Sequence, residues 1–110
     1  MHKPPELTDA QFAASKTKRS FQAHSALGLV YFRREDFEDS AKELEQSTKG
    51  NPTPDPTDLY VLGTDLQSLN RYSEAAEAFG GCSGIAGPLQ DQCKQNADSA
   101  KAQADQPKTK

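Results

Sequence analysis

The sequence predicts an all-α fold of two tandem antiparallel helical hairpins followed by a C-terminal capping helix. Three observations support this prediction. Apolar and small residues recur at helical spacing in four consecutive segments between residues 21 and 79. The spacing of the first pair of segments is repeated in the second pair, 35 residues further along the chain. Proline-containing breaks follow each pair, and helix interiors exclude proline.

The first hairpin is predicted at residues 22–34 and 37–49. Its packing positions lie at i, i+3, i+4 and i+7 in each segment, which places them on one face of a helix. In the first segment these are residues 24, 27, 28 and 31, and in the second they are residues 37, 40, 41 and 44. The polar turn between the segments begins at Arg34.

The second hairpin is predicted at residues 57–69 and 72–80, with the same internal intervals. Asp55 followed by Pro56 is typical of an N-cap with proline at the first helical position. Gly28 and Gly63 each cost about 1 kcal/mol inside a helix relative to alanine. We therefore expect a close helix crossing at each glycine, with the small residues Ser40 and Ala75 opposite.

A capping helix is predicted at residues 89–102, where Leu89, Cys93, Ala97 and Ala100 form a narrow apolar stripe. This stripe buries too little area to hold the helix alone. A disulfide between Cys82 and Cys93 would supply the missing constraint. Two reduced buried thiols are the alternative, and a metal site is disfavoured because two thiolates without a nearby histidine are too few ligands. A bridge would indicate a periplasmic or secreted protein, and free thiols a cytoplasmic one.

The two hairpins resemble tetratricopeptide repeats, helical hairpins of about 34 residues with a Trp-x-x-Leu-Gly-x-x-Tyr…Ala-x-x-x-Phe…Pro pattern. The resemblance covers residues 21–54 and 56–88 and implies a right-handed superhelical solenoid. Its structural positions in this chain are Leu27, Gly28, Tyr31, Ser40, Pro52, Leu62, Gly63, Ala75 and Phe79. His24 and Leu59 stand where tryptophan is usual, Leu66 where tyrosine is usual, and Pro88 comes one residue late.

The flanking segments are less well defined by the pattern. Residues 1–20 are predicted to be an N-terminal tail or a helical extension of the first hairpin. Residues 103–110 carry no apolar periodicity and are expected to be disordered. About three repeats are expected for a stable solenoid, so two repeats and a cap leave room for a longer protein or for a homodimer.

Composition and motifs argue against an enzyme. The chain of 110 residues has two histidines, a net charge of −3, and no Gly-rich phosphate loop or calcium-loop spacing. We expect no cofactor, no metal and no catalytic residue. The mildly acidic balance argues against nucleic acid, and no apolar run approaches the length of a membrane span.

The resemblance instead implies binding of another protein, as a peptide or a helix, in a concave groove lined by the first helices of the hairpins. The groove residues that it assigns are Gln22, Ser25, Leu29, Phe32, Arg33, Tyr60, Thr64 and Gln67. They do not reproduce the Lys/Asn carboxylate clamp of chaperone-binding members. The alternative is a structural segment of a larger solenoid or complex that self-associates or has no ligand of its own.

Overall fold

The computed structural model describes residues 9–106, with side chains described from residue 17 onward. This part of the chain is entirely helical and contains no strand, which confirms the predicted all-α class. Its five helices are α1 (Asp9–Arg33), α2 (Phe37–Thr48), α3 (Pro56–Ser68), α4 (Tyr72–Ser83) and α5 (Gln90–Asp105).

Each helix packs against the next one in chain order, and α1 also contacts α3. The connections within each hairpin are three residues long, so α1 and α2 run antiparallel, as do α3 and α4. Glu35 and Asn70, 35 residues apart, both adopt the left-handed conformation with φ of 61° and 63°. After each of them, the backbone N–H of the next residue returns to the helix: Asp36 donates to Tyr31, and Arg71 donates to Leu66. The two hairpins therefore turn with the same backbone geometry.

The helix boundaries follow from local chemistry at α3. Pro56 occupies the first turn, and the Asp55 carboxylate accepts the backbone N–H of Thr57 at 2.8 Å. This is the N-cap that the sequence predicts.

Both terminal helices are longer than the pattern predicts. Residues 9–20 form the first half of α1, so the helical-extension alternative describes them, while residues 1–8 lie outside the described part. At the other end, residues 103–105, predicted to begin a disordered tail, form the last turn of α5, and Gln106 is its C-cap. Positions 107–110 of the predicted tail lie outside the described residues. Apolar periodicity misses such turns because their residues are polar or small.

The core lies between the helices of the two hairpins, where Leu44 and Phe79 are fully buried. A Cβ placed on Gly28 would lie 2.6 Å from Leu44 Cγ, and one on Gly63 would lie 2.7 Å from the Phe79 ring. The glycines thus make room for a large side chain of the facing helix, and the atoms nearest to each belong to Leu44 and Phe79, which lie four residues after Ser40 and Ala75. Both of these small residues are also buried, Ala75 in the core and Ser40 beneath α3.

Candidate functional site

Asp58, in the first turn of α3, joins three helices through one buried carboxylate. Its Oδ1 accepts a hydrogen bond from Ser25 of α1 at 2.8 Å, and its Oδ2 accepts one from Ser47 of α2 at 3.2 Å. Burial raises the pKa of Asp58 above its usual value, and the two serine hydrogen bonds offset part of that effect. Asp58 is therefore a fixed polar anchor at the point where the two hairpins meet.

Asp65 lies two turns further along α3 and is completely buried. Its Oδ2 accepts a hydrogen bond from Ser40 of α2 at 2.5 Å, while Oδ1 has no partner. Burial raises the pKa of Asp65 to about 6, with the Ser40 hydrogen bond acting in the opposite direction. The α2–α3 interface thus contains two Ser–Asp pairs, one of them incompletely satisfied.

A disulfide holds the α4–α5 interface together. Cys82 of α4 and Cys93 of α5 form a buried disulfide, with Cα atoms 5.8 Å apart. The predicted pairing is confirmed. The bridge fixes α5 to the second hairpin through a helix face that otherwise offers only alanines, Ala97 and Ala100, as buried residues.

A cavity of about 750 Å³ opens between α1 and the α2–α3 connection. One wall is the middle of α1, and the other is the proline-containing connection, with Asp58 between them. The residues lining the cavity are Thr17, Lys18, Phe21, Gln22, Ser25, Ala26, Leu29, Ser47, Asn51, Pro52, Thr53, Asp55 and Asp58. Its wall combines apolar surface with exposed amides and hydroxyls, and this composition is common in sites that hold a small part of another molecule.

The predicted groove residues separate into two groups. Gln22, Ser25 and Leu29 line the cavity together. The others do not reach it. Phe32 and Tyr60 are half-buried against the core, with their rings in edge contact with Phe37 and Phe79 respectively.

The remaining predicted groove residues are partly engaged within the chain. Thr64 donates to the backbone carbonyl of Tyr60, and Gln67 donates to Gln103 of α5 at 2.6 Å. Arg33 is exposed at the end of α1. Of the predicted groove residues, only Gln22, Ser25 and Leu29 of α1 share the cavity, and Gln67 of α3 is bonded to α5.

The repeat positions are buried where a preceding helix covers them. Leu62 is 6% exposed, whereas Leu27, the corresponding residue of the first repeat, is 47% exposed. The packing expected of Leu27 is absent because no described helix precedes α1. Tyr31 is half-buried, and Pro52 is exposed at the cavity rim. His24, on the packing face, is half-buried and its Nδ1 lies 2.9 Å from the Glu43 carboxylate.

Sequence reasoning missed the contribution of the α2–α3 connection, through Asn51, Thr53 and Asp58. The sequence does contain one indication of the role of Asp58. This carboxylate lies four residues before Leu62, on the helix face that the repeat spacing predicts to be buried. Among residues 9–106 no cluster of metal-ligating side chains occurs, and no helix is long and apolar enough to cross a membrane.

Comparisons with known proteins add no assignment. No family model matches the chain, and no curated protein or solved structure is significantly similar to it.

Proposed function

We propose that this chain is a protein-binding module of the tetratricopeptide-repeat type, and that the cavity beside α1 receives a segment of a partner protein. The observation that carries the proposal is the convergence of Gln22, Ser25 and Leu29 with the α2–α3 connection around a cavity of about 750 Å³. Such a volume is in the range of pockets that enclose a drug-sized ligand, and a short peptide segment can occupy it. The repeated hairpin geometry and the spacing of the glycines support the repeat assignment.

The chemistry of the cavity wall defines the kind of segment that it would accept. Phe21, Leu29 and Pro52 provide apolar surface for a single apolar side chain. Gln22 and Asn51 carry amides that can both donate to and accept from a peptide backbone. Among the lining residues, one cation, Lys18, faces two carboxylates, Asp55 and Asp58, so a strongly acidic peptide is not expected. We therefore propose an extended segment with one apolar anchor residue.

Asp58 holds the shape of this site and is not expected to bind the partner directly. Its two carboxylate oxygens already accept hydrogen bonds from Ser25 and Ser47. These bonds tie α1 to the α2–α3 connection and keep the two walls of the cavity at a fixed separation. A pre-formed site loses less conformational entropy on binding than a flexible one.

The experiment is a selection of displayed random peptides against the whole chain, followed by fluorescence anisotropy of the selected peptides. Gln22→Trp fills the cavity from an exposed position without disturbing the core. Gln95→Trp is the matched control, because Gln95 is exposed on α5, away from the cavity. We expect Gln22→Trp to weaken binding by about tenfold or more and Gln95→Trp to leave it unchanged. Equal binding by both variants would reject the site.

A further inference from the structure

The first helix carries an apolar stripe that no described helix covers. It consists of Ala23, Ala26, Leu27 and Val30, all exposed and spaced at i, i+3, i+4 and i+7. Leu27 is 47% and Val30 44% exposed, and they are the large exposed hydrophobic residues of the described part of the chain. We call these four residues the α1 stripe.

The corresponding face is covered on α3 and α5, the helices that lie one and two repeat intervals after α1. The residues 35 positions after Leu27 and Val30 are Leu62 and Asp65 of α3, which are 6% and 0% exposed. Another 35 positions on, Ala97 and Ala100 of α5 are 7% and 0% exposed. In each case the cover is the second helix of the preceding hairpin: α2 packs on α3, and α4 packs on α5. Only α1 lacks its cover among the described helices.

The charges around the α1 stripe indicate what would cover it. Arg19 and Arg34 lie at its two ends, at i−4 and i+11 from Ala23, and both are exposed. Neither forms an ion pair with a described residue. The helices that cover α3 and α5 are acidic: α2 has Glu38 and Asp39 in its first turn, and α4 has Glu74.

A second copy of the chain fits this surface poorly. Two α1 stripes packed antiparallel would bring Arg19 of one copy close to Arg34 of the other, and like charges repel. The outer side of α5, which a head-to-tail copy would present, carries the exposed residues Lys94, Asp98 and Lys101 and offers no apolar face. An acidic helix from another protein meets neither obstacle.

We propose that the α1 stripe binds an acidic amphipathic helix of a partner protein, in the way that α2 binds α3. Leu27 and Val30 would pack against small and apolar residues of that helix, and Arg19 and Arg34 would pair with its carboxylates. Leu27 and Val30, the large residues of the α1 stripe, do not line the cavity formed with the α2–α3 connection, whereas Ala26 borders both surfaces. The inference rests on Leu27 and Val30 and therefore does not depend on the peptide site proposed above.

The chain itself supplies a probe with the required chemistry. It is a synthetic peptide of residues 36–49, which include all of α2, with a lactam between Glu38 and Lys42 to hold the helix. Ser40 and Ser47 are replaced by alanine, because their partners Asp65 and Asp58 correspond to Val30 and Ala23 on α1. The probe thus presents to the α1 stripe the same face that α2 presents to α3.

Binding of this peptide to the whole chain is measured by fluorescence anisotropy at low and moderate salt. We expect Leu27→Gln/Val30→Gln to weaken binding by about tenfold, since these residues supply the buried apolar area. Arg19→Gln/Arg34→Gln should weaken binding by a smaller factor and remove most of its salt dependence. Lys94→Gln/Lys101→Gln is the matched control for charge loss and should bind as the parent does. All of the substituted positions are exposed, so circular dichroism should show unchanged folding.

Three results would overturn the proposal. The first is failure of the parent chain to bind the probe up to about 1 mM, and the second is equal binding by the parent and Leu27→Gln/Val30→Gln. The third is a dimer of the parent chain alone, seen by sedimentation, that Leu27→Gln/Val30→Gln converts to a monomer. That result would assign the α1 stripe to a second copy.

Discussion

Cys82 occupies in α4 the position that Ser47 occupies in α2, 35 residues earlier. Their partners are separated by the same interval, since Cys82 is bonded to Cys93 and Ser47 donates a hydrogen bond to Asp58. The pair Ser40–Asp65 likewise corresponds to Ala75 and Ala100. The α2–α3 and α4–α5 interfaces thus use equivalent positions. The first is formed by polar pairs and the second by a disulfide and alanines.

This correspondence predicts that the disulfide can be copied to the first joint. In Ser47→Cys/Asp58→Cys, we expect the new cysteines to form a bridge on oxidation, because these positions correspond to Cys82 and Cys93, whose Cα atoms are 5.8 Å apart. Titration of the unfolded, unreduced protein should find no free thiol. Thr48→Cys/Asp58→Cys is the control, because Thr48 bonds to Leu44 and not to Asp58. Free thiols in the Ser47 variant after oxidation would show that the two joints are not equivalent.

Removal of the native bridge should loosen α5. The bridge closes a loop with a sequence separation of 11, and such a constraint stabilises by about 3 kcal/mol in the chain-entropy model. We expect Cys82→Ser/Cys93→Ser to lose roughly that much stability in urea unfolding and to lose helical circular dichroism from α5. The parent protein under reducing conditions should behave in the same way. An unfolding midpoint equal to that of the oxidised parent would contradict this role.

At Gly63, where α3 crosses α4, even the methyl group of alanine should destabilise the fold. We expect Gly63→Ala to destabilise by about 1–3 kcal/mol, because the added Cβ overlaps the Phe79 ring. Gly80→Ala is the control: Gly80 is also helical, has nothing within 4 Å of its Cβ position, and should gain up to about 1 kcal/mol from helix propensity. Thermal unfolding of both variants tests the prediction. The prediction is wrong if Gly63→Ala and Gly80→Ala shift the unfolding temperature in the same direction.

Asp65 should make the protein less stable as the pH rises from 4 to 7. Its pKa is about 6 when folded and near 3.8 when unfolded, so the folded state retains a proton that the unfolded state has already released. Rising pH therefore favours unfolding across this range, by at most about 3 kcal/mol. Urea unfolding of Asp65→Asn should show a weaker loss over the same range, and the part that remains is expected from Asp58, whose pKa burial also raises. If the parent and Asp65→Asn have parallel stability–pH curves, then Asp65 does not titrate in this way.

Helical periodicity and the repeated interval predicted α3 closely, whereas α4 continues three residues beyond its predicted end at residue 80, to Ser83. The predicted boundaries of α3, residues 57–69, differ by one residue at each end from Pro56–Ser68, because Asp55 and Pro56 define its start chemically. The disulfide could also be predicted, since Cys93 lies on the narrow apolar stripe of α5 and Cys82 ends the second hairpin.

The tertiary partners of side chains could not be predicted from spacing. Periodicity shows which face of a helix is apolar, but not which neighbour covers it. Phe32 and Tyr60 were therefore expected in an open groove, whereas their rings pack on Phe37 and Phe79. Asp58 was overlooked for the same reason, because its role depends on hydroxyls from two other helices.

Binding of a peptide segment in the cavity beside α1 is tested most directly by nuclear magnetic resonance of the isotope-labelled chain during titration with a selected peptide. We predict that the largest amide shift changes cluster at Gln22, Ser25, Leu29, Asn51 and Thr53, with α5 almost unaffected. Changes concentrated on α4 and α5, with the cavity residues unmoved, would contradict the claim.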